Sequence, residues 1–426
     1  MWKRIFQNSL LLLSARILSK LATIAVMVAA ARMLGTASFG EFSALLAWTA
    51  FVGLLSDFGL VLPTIRSLSS GQGTENRWVG ETFSSRVAWS GAALACLAVT
   101  SVALNLSLLV AMLLAVSSIL EATGTALIRS FESKQEMATI TIYTVIERLS
   151  YCVTVFGALA LFGSLTAVGV ASVLSYSWMT AFALRLFQKR FGRLSARFSW
   201  NDVKKYSKTG FPFLVSAGFG ALYYKADIIM IGSFRSNEEV GIYNAAMRVM
   251  DAQIFIPLVL MASIFPTLSR LHSTKDIRFV RTFLQSLALF STIGIGLTVV
   301  VYLLSPLLIP VLFSRAYERA IPVLQTLSLM QLFYFLYYLF GHGLIAMKKE
   351  AWYTASMVSL SLINVACNIF VIPRYGYLGA AWTRVASEAL LSAVTGLFVF
   401  YHLRRSFRMT TSDRPLSSWR SGPHGS

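Results

Sequence analysis

Residues 185–208 read RLFQKRFGRLSARFSWNDVKKYSK and form the longest polar interruption in an otherwise apolar chain. The stretch lies close to the middle of the chain and carries eight basic residues against a single acid, Asp202. A segment of this polarity does not lie in lipid, and Lys and Arg residues beside membrane spans resist translocation. We therefore predict a cytoplasmic connector with an apolar half of the chain on each side.

The composition is that of a membrane protein. Of the 426 residues, 56% are hydrophobic and 13% are charged, and the mean hydropathy is +0.67. A formal net charge of +19 could indicate a nucleic-acid partner, but the cations occupy short gaps between apolar runs and form no nucleic-acid-binding motif. Cytoplasmic loops and anionic lipid headgroups account for such a charge. The composition therefore predicts a polytopic membrane protein that contacts membrane lipids and binds no nucleic acid.

Twelve apolar windows are long enough to cross a bilayer of about 30 Å as helices. The charged start of residues 1–16 resembles a signal peptide, but Arg16 and Lys20 interrupt the apolar stretch and further spans follow, so an uncleaved first helix is expected. The predicted spans are residues 9–31, 42–65, 80–104, 107–129, 138–162, 166–187, 210–233, 241–267, 279–304, 320–346, 352–372 and 378–402.

The distribution of basic residues predicts the orientation of these spans. With the N-terminus inside, 26 Lys and Arg residues fall in cytoplasmic segments and five fall on the opposite side. Such an imbalance favours an even number of spans with both termini in the cytoplasm. We therefore expect a multi-pass membrane protein. The five residues on the opposite side are Arg32, Arg235, Arg315, Arg319 and Arg374.

Three pairs of segments recur in the same order in the two halves of the chain. Residues 35–44, GTASFGEFSA, correspond to residues 237–246, NEEVGIYNAA, and each is a polar turn followed by Gly, an aromatic residue and small residues. Gly and Ala recur in many membrane proteins, but the shared order predicts two parallel repeats related by an axis along the membrane normal. The other pairs are residues 133–136 with 347–350, and Gly169 with Gly379.

These features predict an all-α polytopic membrane protein with about twelve transmembrane helices in two six-helix lobes. The substrate should bind between the lobes, as it does between the repeats of other transporters. We expect an N-terminal lobe at residues 1–190, a basic cytoplasmic linker at 191–208, a C-terminal lobe at 209–404 and a disordered cytoplasmic tail at 405–426.

Charged residues inside the predicted spans are the candidates for function. A cation at a helix centre costs about 2.5–3.5 kcal/mol on insertion scales, so each should face a partner or a water-filled cavity. Helical spacing predicts that Arg248 meets Asp251 and that Arg384 meets Glu388, and these pairs can be purely structural. The six cations are Arg16, Lys20, Arg148, Lys225, Arg248 and Arg384, and the six acids are Asp57, Glu121, Glu147, Asp227, Asp251 and Glu388.

Arg16 and Lys20 differ from the other cations because they place like charges four residues apart on one helix face, with no acid on the same helix. In one interpretation Arg16 reaches the cytoplasmic headgroups, or Asp57 or Asp227 neutralises one of the two cations. In the other, both cations belong to an anion-binding wall that holds a phosphate or pyrophosphate.

Motifs for covalent chemistry are absent from the sequence. There is no GxxxxGKS phosphate loop, no HExxH pattern and no nucleophile elbow, and the predicted outer loops are too short for a catalytic domain. Cys96, Cys152 and Cys367 are isolated in apolar runs, which indicates packing residues rather than disulfides or a metal site. We therefore predict that the protein is not an enzyme and uses no cofactor and no metal.

Several segments resemble one family. Residues 224–232, YKADIIMIG, and 239–248, EVGIYNAAMR, resemble the seventh-to-eighth helix signature of Wzx-type polysaccharide biosynthesis proteins. Residues 312–324 resemble the family's segment before helix ten, residues 373–381 its entry to helix twelve, and residues 34–42 its first outer turn. These proteins are lipid-linked oligosaccharide flippases in the superfamily that also contains MATE drug exporters and the lipid II flippase.

The resemblance implies two six-helix lobes around a V-shaped cavity lined mainly by helices one, two, seven and eight. It also implies that cavity cations hold the pyrophosphate of the lipid carrier. Carried onto this sequence, the candidate pyrophosphate-binding residues are Arg16, Lys20, Lys225 and Arg248, and the candidate counter-ions or coupling residues are Asp57 and Asp227.

The function implied by the resemblance is that of an inner-membrane flippase. It would move a polyprenyl-pyrophosphate-linked oligosaccharide, such as an O-antigen repeat unit, by alternating access, with other polysaccharide-assembly membrane proteins as further partners. One alternative is a cation-coupled MATE-like multidrug exporter in which Asp57 or Asp227 binds H⁺ or Na⁺, although the cations of helix one argue against it. Another is a membrane polymerase or ligase of lipid-linked sugars, which would need a larger outer loop than residues 306–319.

Overall fold

A computed structural model describes the backbone of residues 2–69, 75–194 and 197–412, and the side chains of residues 18–68, 78–194 and 197–404. In these ranges the regular elements are all helical. Short 3-10 helices span Ser130–Lys134 and Arg315–Ala320. The α-helices are α1 (Trp2–Asp57), α2 (Val61–Ser69), α3 (Glu75–Ala103), α4 (Leu108–Arg129), α5 (Met137–Phe162), α6 (Leu165–Phe191), α7 (Trp200–Phe234), α8 (Asn237–Asp251), α9 (Phe255–Ser273), α10 (Arg278–Phe313), α11 (Ile321–Ser328), α12 (Met330–Ala346) and α13 (Glu350–Ser412).

Helices α1 and α13 each contain two membrane spans. Their 56 and 63 residues would extend about 84 and 95 Å at 1.5 Å per residue, far more than a bilayer core of about 30 Å. Each is broken at one glycine, Gly35 with φ 77° in α1 and Gly376 with φ 59° in α13. Glycine adopts positive φ readily because it lacks a Cβ, so the chain can change direction at these two positions.

The number of spans agrees with the sequence analysis. Among the residues that the structure describes, nine helical stretches are long and apolar enough to cross a membrane. The stretches containing Gly35 and Gly376 hold two spans each, and residues 315–346 form a further span bent by about 40°. The described chain therefore contains twelve spans, which confirms the predicted all-α polytopic membrane protein.

Three predicted spans are interrupted in the structure. The span expected at residues 42–65 is divided between α1 and α2 at residues 58–60, the span expected at 241–267 is divided between α8 and α9 at residues 252–254, and the one expected at 320–346 is divided between α11 and α12 at Leu329. The hydropathy of a long window does not register these breaks, because the residues that form them, Phe-Gly-Leu, Ala-Gln-Ile and Leu, are largely apolar themselves.

The first of these breaks packs against α7. Gly59 has φ 69°, and a Cβ at this position would lie 2.5 Å from the Leu214 nitrogen and 2.7 Å from the Gly210 carbonyl oxygen. Beside it, Asp57 accepts a hydrogen bond from the Val61 N–H at 3.3 Å and so satisfies a free donor at the start of α2. The break is therefore a packed, hydrogen-bonded feature.

The basic connector is helical for most of its length. Helix α6 continues into it as far as Phe191, and α7 begins within it at Trp200. Ser84 of α3 holds the intervening turn, because its hydroxyl donates to the Arg197 carbonyl and accepts from the Ser199 N–H, both at 2.9 Å. The connector is thus attached to the helices that precede it in the chain.

The chain forms two compact units. In the first, Met179, Ala183 and Phe187 of α6 are fully buried in an apolar core. In the second, the Phe283 and Phe340 rings stack with centroids 6.3 Å apart. The first unit comprises Met1–Ala252, Ser305–Leu324 and Val365–Ala381, and the second comprises Gln253–Leu304, Gln325–Asn364 and Trp382–Ser426.

The lobe boundaries expected at residues 190 and 209 stay predictions. Helix α13 ends at Ser412. The remainder of the tail expected from the sequence, residues 413–426, lies outside the described residues.

Candidate functional site

Two of the predicted cations contact one acid in the first compact unit, and a third lies within electrostatic range of all three groups. Lys20 of α1 places its Nζ 3.9 Å from Asp251 Oδ2, and Arg248 of α8 places its NH1 2.9 Å from the same oxygen. Lys225 of α7 interacts electrostatically with Lys20, Arg248 and Asp251. We call these four residues the cation cluster.

The cation cluster lies well inside the spans. Helix α1 breaks at Gly35, and the start of α8 packs beside this break. We call this end of the molecule the Gly35 end. At 1.5 Å per helical residue, Lys225, Arg248 and Lys20 lie about 14, 17 and 21 Å from that end. Three separate helices therefore bring their cations to a similar distance from the Gly35 end.

The charges of the cation cluster do not balance. Three cations face one carboxylate, which leaves two positive charges in excess. Lys20 is 34% exposed, whereas Arg248 and Asp251 are 12% and 15% exposed. Arg and Lys make strong charge-assisted hydrogen bonds to phosphate oxygens. The excess charge and these donors give the cluster the chemistry of an anion site.

The fourth predicted cation, Arg16, has a side chain that lies outside the described residues. Of the four candidates for pyrophosphate binding, the structure thus brings together Lys20, Lys225 and Arg248. The sequence analysis treated Asp251 only as a partner of Arg248 on the same helix. The structure adds Lys20 of α1 to this pair.

Asp57 is tied to a different cation. Its Oδ1 lies 2.7 Å from NH1 of Arg86 in α3, and the two side chains are 17% and 11% exposed. Arg86 is one of the 26 basic residues that the sequence places in cytoplasmic segments. Among the described residues, Asp57 is therefore the counter-ion of Arg86, and it also caps α2. It is separated in sequence from the residues of the cation cluster.

Asp227 is held by neutral donors from two other helices. The Tyr243 hydroxyl donates to Oδ2 at 2.9 Å, and the Asn368 amide donates to Oδ1 at 2.8 Å. Asp227 is 3% exposed. These bonds fix the carboxylate between α7, α8 and the first span of α13.

Next to the cation cluster, the second span of α1 crosses α8 at very short range. A Cβ on Gly40 would fall on the Asn237 carbonyl, and a Cβ on Gly241 would fall on the Thr36 carbonyl. Small residues permit such close approach of membrane helices. Gly40 and Gly241 occupy equivalent positions in the two repeats, so the repeated segments pack directly on each other at the Gly35 end.

The Gly35 end is also joined by bonds to α10. Arg32 donates through Nε to the Leu312 carbonyl at 2.7 Å and through NH2 to the Val311 carbonyl. The Tyr317 hydroxyl donates to the Ala31 carbonyl at 2.9 Å. The first span of α1 is therefore bound to the C-terminal turn of α10 and to the 3-10 helix that follows it.

Ion pairs close to the start of α8 complete this end. Arg319 pairs with Glu238 at 2.9 Å, and Arg235 pairs with Glu239 at 3.1 Å. Arg32, Arg235 and Arg319 thus lie at the same end of the bundle, as expected for residues on one side of the membrane. Which face of the membrane this is stays a prediction.

Comparison with known proteins identifies the family. The family described as "Polysaccharide biosynthesis protein" matches residues 5–272, which is more than half of the 426 residues. The chain belongs to this family. The match confirms the family resemblance of three segments within this range, residues 34–42, 224–232 and 239–248.

Two relatives have names that describe transport. The protein named "Putative O-antigen transporter" from Escherichia coli (strain K12) is 21% identical over 274 residues, which are 63% of this chain and 65% of the relative. The protein named "Probable flippase AglR" from Haloferax volcanii is 29% identical over 173 residues, which are 39% of this chain and 36% of the relative. The chain therefore matches less than two thirds of the length of either relative.

Solved structures confirm the fold. The lipid II flippase MurJ in an inward closed conformation has a TM-score of 0.71 at 13% identity, covering 96% of this chain and 94% of that chain. A multidrug resistance MATE family transporter in an inward-facing conformation has a TM-score of 0.70 at 13% identity, covering 93% and 96%. The predicted architecture of two six-helix lobes is thus confirmed.

Sequence reasoning missed two residues beside the cation cluster. Asn244 donates through Nδ2 to the Ser43 hydroxyl at 2.6 Å and so links α8 to α1. Neither residue is charged, so the search for costly charges passed over them. A signal was nevertheless available, because Ser43 and Asn244 each lie three residues after the glycine of their repeated segment, Gly40 or Gly241.

Proposed function

We propose that this protein is a flippase that moves a polyprenyl-pyrophosphate-linked oligosaccharide from the cytoplasmic to the outer leaflet of the inner membrane. The observation that carries the proposal is the cation cluster, in which Lys20, Lys225 and Arg248 from three helices surround one acid with two excess positive charges. A pyrophosphate matches this charge. Membership in the polysaccharide biosynthesis family supports an oligosaccharide as the group attached to it.

The proposed task requires no covalent chemistry. An oligosaccharide and its pyrophosphate cannot cross hydrocarbon unaided, because their polar groups would lose their hydrogen bonds to water. In the proposal the cation cluster supplies charge-assisted bonds to the pyrophosphate while the lipid tail stays in the bilayer. Alternating access then releases the headgroup on the other side. The protein acts as a transporter rather than an enzyme, with both termini in the cytoplasm.

A cation-coupled drug exporter agrees less well with the charges. An organic cation would be repelled by the excess positive charge of the cation cluster, and Asp57 is committed to Arg86 at 2.7 Å. Asp227 remains the candidate for a coupling residue or a structural acid. The flippase is therefore the better-supported proposal.

Transport by purified protein in vesicles tests the proposal. The substrate is a lipid-linked oligosaccharide with a fluorophore on the sugar, and a membrane-impermeant quencher reports how much of it reaches the outer leaflet. We expect Arg248→Gln to lose a charge-assisted contact that contributes roughly 1.5–3 kcal/mol, and so to slow transport at least tenfold. Lys189→Gln removes a cation from the last turn of α6 and serves as the matched control. An unchanged rate in Arg248→Gln would contradict the proposal.

The proposed orientation is tested separately. A reporter fused after Arg193 should be cytoplasmic, and one fused at Asn237 should be on the outer side, because the basic residues are distributed so unevenly. Both reporters on the same side would exclude the proposed topology.

A further inference from the structure

We infer that Asn244 couples anion binding at Arg248 to the opening of the crossing between α1 and α8, an inference that rests on the proposed function of the cation cluster. Arg248 donates to Asn244 Oδ1 through Nε at 3.2 Å and through NH2 at 2.9 Å. Asn244 donates to the Ser43 hydroxyl at 2.6 Å, and Ser43 donates to the Phe39 carbonyl at 2.7 Å. One continuous chain of hydrogen bonds thus runs from the cation cluster to the crossing.

The chain of bonds is shielded from water. Asn244 is 1% exposed and Ser43 is 3% exposed. If Arg248 turns away, the amide oxygen of Asn244 loses its donor where water cannot replace it, and an unsatisfied buried acceptor is costly. The closed crossing therefore depends on the position of the Arg248 guanidinium.

An anion and Asn244 compete for the same edge of Arg248. A guanidinium binds phosphate best through two parallel N–H groups. Asn244 occupies the Nε and NH2 edge, and Asp251 engages NH1 at 2.9 Å. The bond to Asp251 is charge-assisted and stronger than the bonds to the neutral amide, and Asp251 also lies 3.9 Å from Lys20. An incoming pyrophosphate therefore displaces Asn244 rather than Asp251.

Displacement of Asn244 from Arg248 affects the crossing of α1 and α8. Counted along α8 at 1.5 Å per residue, Gly241, Asn244 and Arg248 lie about 6, 11 and 17 Å from its start. The bond between Asn244 and Ser43 thus lies between the cation cluster and the glycine contact. When the anion takes the guanidinium, Asn244 is released from its fixed orientation and the link to α1 weakens. Anion binding then favours separation of the two helices at the Gly35 end.

A distance measurement on the full chain tests the inference. Spin labels are attached at Ala37→Cys in α1 and Ser233→Cys in the last turn of α7, directly before α8, where both native side chains are exposed. The free cysteines Cys96, Cys152 and Cys367 are first replaced by alanine. The probe is inorganic pyrophosphate. We expect pyrophosphate to shift the label separation to longer distances in the otherwise native chain.

Two variants break the link from opposite sides. Asn244→Ala and Ser43→Ala should each give the longer separation without pyrophosphate. Because coupling between binding and opening is reciprocal, Ser43→Ala should also bind pyrophosphate about two- to tenfold more tightly, the factor expected for one hydrogen bond. If Asn244→Ala does not fold, Ser43→Ala still breaks the same bond.

Ser118→Ala is the matched control, since it removes a 3.0 Å bond from α4 to the Thr49 carbonyl of α1. It should change neither the label separation nor the affinity for pyrophosphate.

The outcomes separate this inference from the proposed function. If pyrophosphate binds to the native chain and the label separation stays unchanged, the coupling is wrong while the anion site stands. An equal change in label separation in Ser118→Ala and Ser43→Ala would also overturn the coupling, because the loss of any polar link between helices would then have the same effect. If pyrophosphate does not bind, or binds equally well to Arg248→Gln, both the anion site and the coupling fail.

Discussion

Two ion pairs, each formed within a single helix, differ in their exposure and in their surroundings. Arg248 and Asp251 of α8 are 12% and 15% exposed, and Lys20 also approaches Asp251. Arg384 and Glu388 of α13 lie 3.3 Å apart and are 2% and 0% exposed. Helical spacing identified both pairs from the sequence. The surroundings decide whether such a pair can serve a ligand, because the α8 pair is accessible and accompanied by further cations, whereas the α13 pair is fully buried.

The energetics of the two pairs should differ for the same reason. A fully buried pair compensates the desolvation of both its charges, so the loss of one partner leaves the other uncompensated. In the cation cluster two extra cations repel each other, and their presence inside a span is unfavourable without an anion. The α13 pair should therefore matter for stability, and the α8 pair for binding.

The largest effect is expected from reducing the cation cluster to a simple ion pair. Lys20→Gln with Lys225→Gln leaves Arg248 and Asp251 paired, as Arg384 and Glu388 are. Losing two charge-assisted contacts of roughly 1.5–3 kcal/mol each should lower pyrophosphate affinity by about 10²- to 10⁴-fold, while thermal stability is retained or improved because two buried cations are gone. Calorimetry of pyrophosphate binding and thermal unfolding measure the two effects. Undiminished binding would show that the lysines only reach toward headgroups or pair with acids.

The second effect concerns the α13 pair. Arg384→Gln should lower the free energy of unfolding by about 3–5 kcal/mol, because Glu388 stays fully buried and loses the positive charge of Arg384 3.3 Å away. The measurement is the midpoint of thermal unfolding in detergent. Arg248→Gln is the matched comparison and should destabilise less, by about 1–3 kcal/mol for the buried Asn244 oxygen that loses its donor, since Asp251 keeps Lys20 and Lys225 nearby. Equal destabilisation by the two substitutions would remove the distinction between the pairs.

The third effect distinguishes the two acids predicted as counter-ions. Asp57→Asn should destabilise by about 3 kcal/mol because Arg86 keeps its charge without a partner. Asp227→Asn should destabilise by about 1–3 kcal/mol, since the new amide can accept from Tyr243 but places a donor opposite Asn368. Yield of folded protein and transport should fall together in both variants. Normal yield of Asp227→Asn with lost dependence on an ion gradient would instead identify a coupling residue.

The smallest effect is expected at Asp251. Asp251→Asn raises the excess charge of the cation cluster by one, which should tighten pyrophosphate binding by at least about 1 kcal/mol, or roughly fivefold, the effect of a unit charge about 4 Å away even at the dielectric constant of water. Asp251→Glu keeps the charge and serves as the control, with an affinity close to the native value. Weaker binding in Asp251→Asn would mean that the acid positions Arg248 rather than competing with the ligand.

Much of the fold could be predicted because a bilayer imposes simple rules on a chain. Spans must be long and apolar, so the twelve windows and the polar connector were visible without tertiary information. The breaks at residues 58–60 and 252–254 were not visible, since their residues are apolar and the first is stabilised by contact with α7. The candidate cations Lys20, Lys225 and Arg248 were recognisable because charge inside a span is costly.

The sequence by itself determined the class of protein, the number of spans and the repeat. It also identified the cations that lie inside spans, where a charge is costly. Only the tertiary structure decided the partners of the charged groups. Asp57 meets Arg86 of α3, and Asp227 accepts from Asn368, a residue 141 positions away in the chain. The physical reason is that hydropathy and helical spacing act within one span. The partner of a buried charge, and the neutral link from Asn244 to Ser43, depend on which helices pack together.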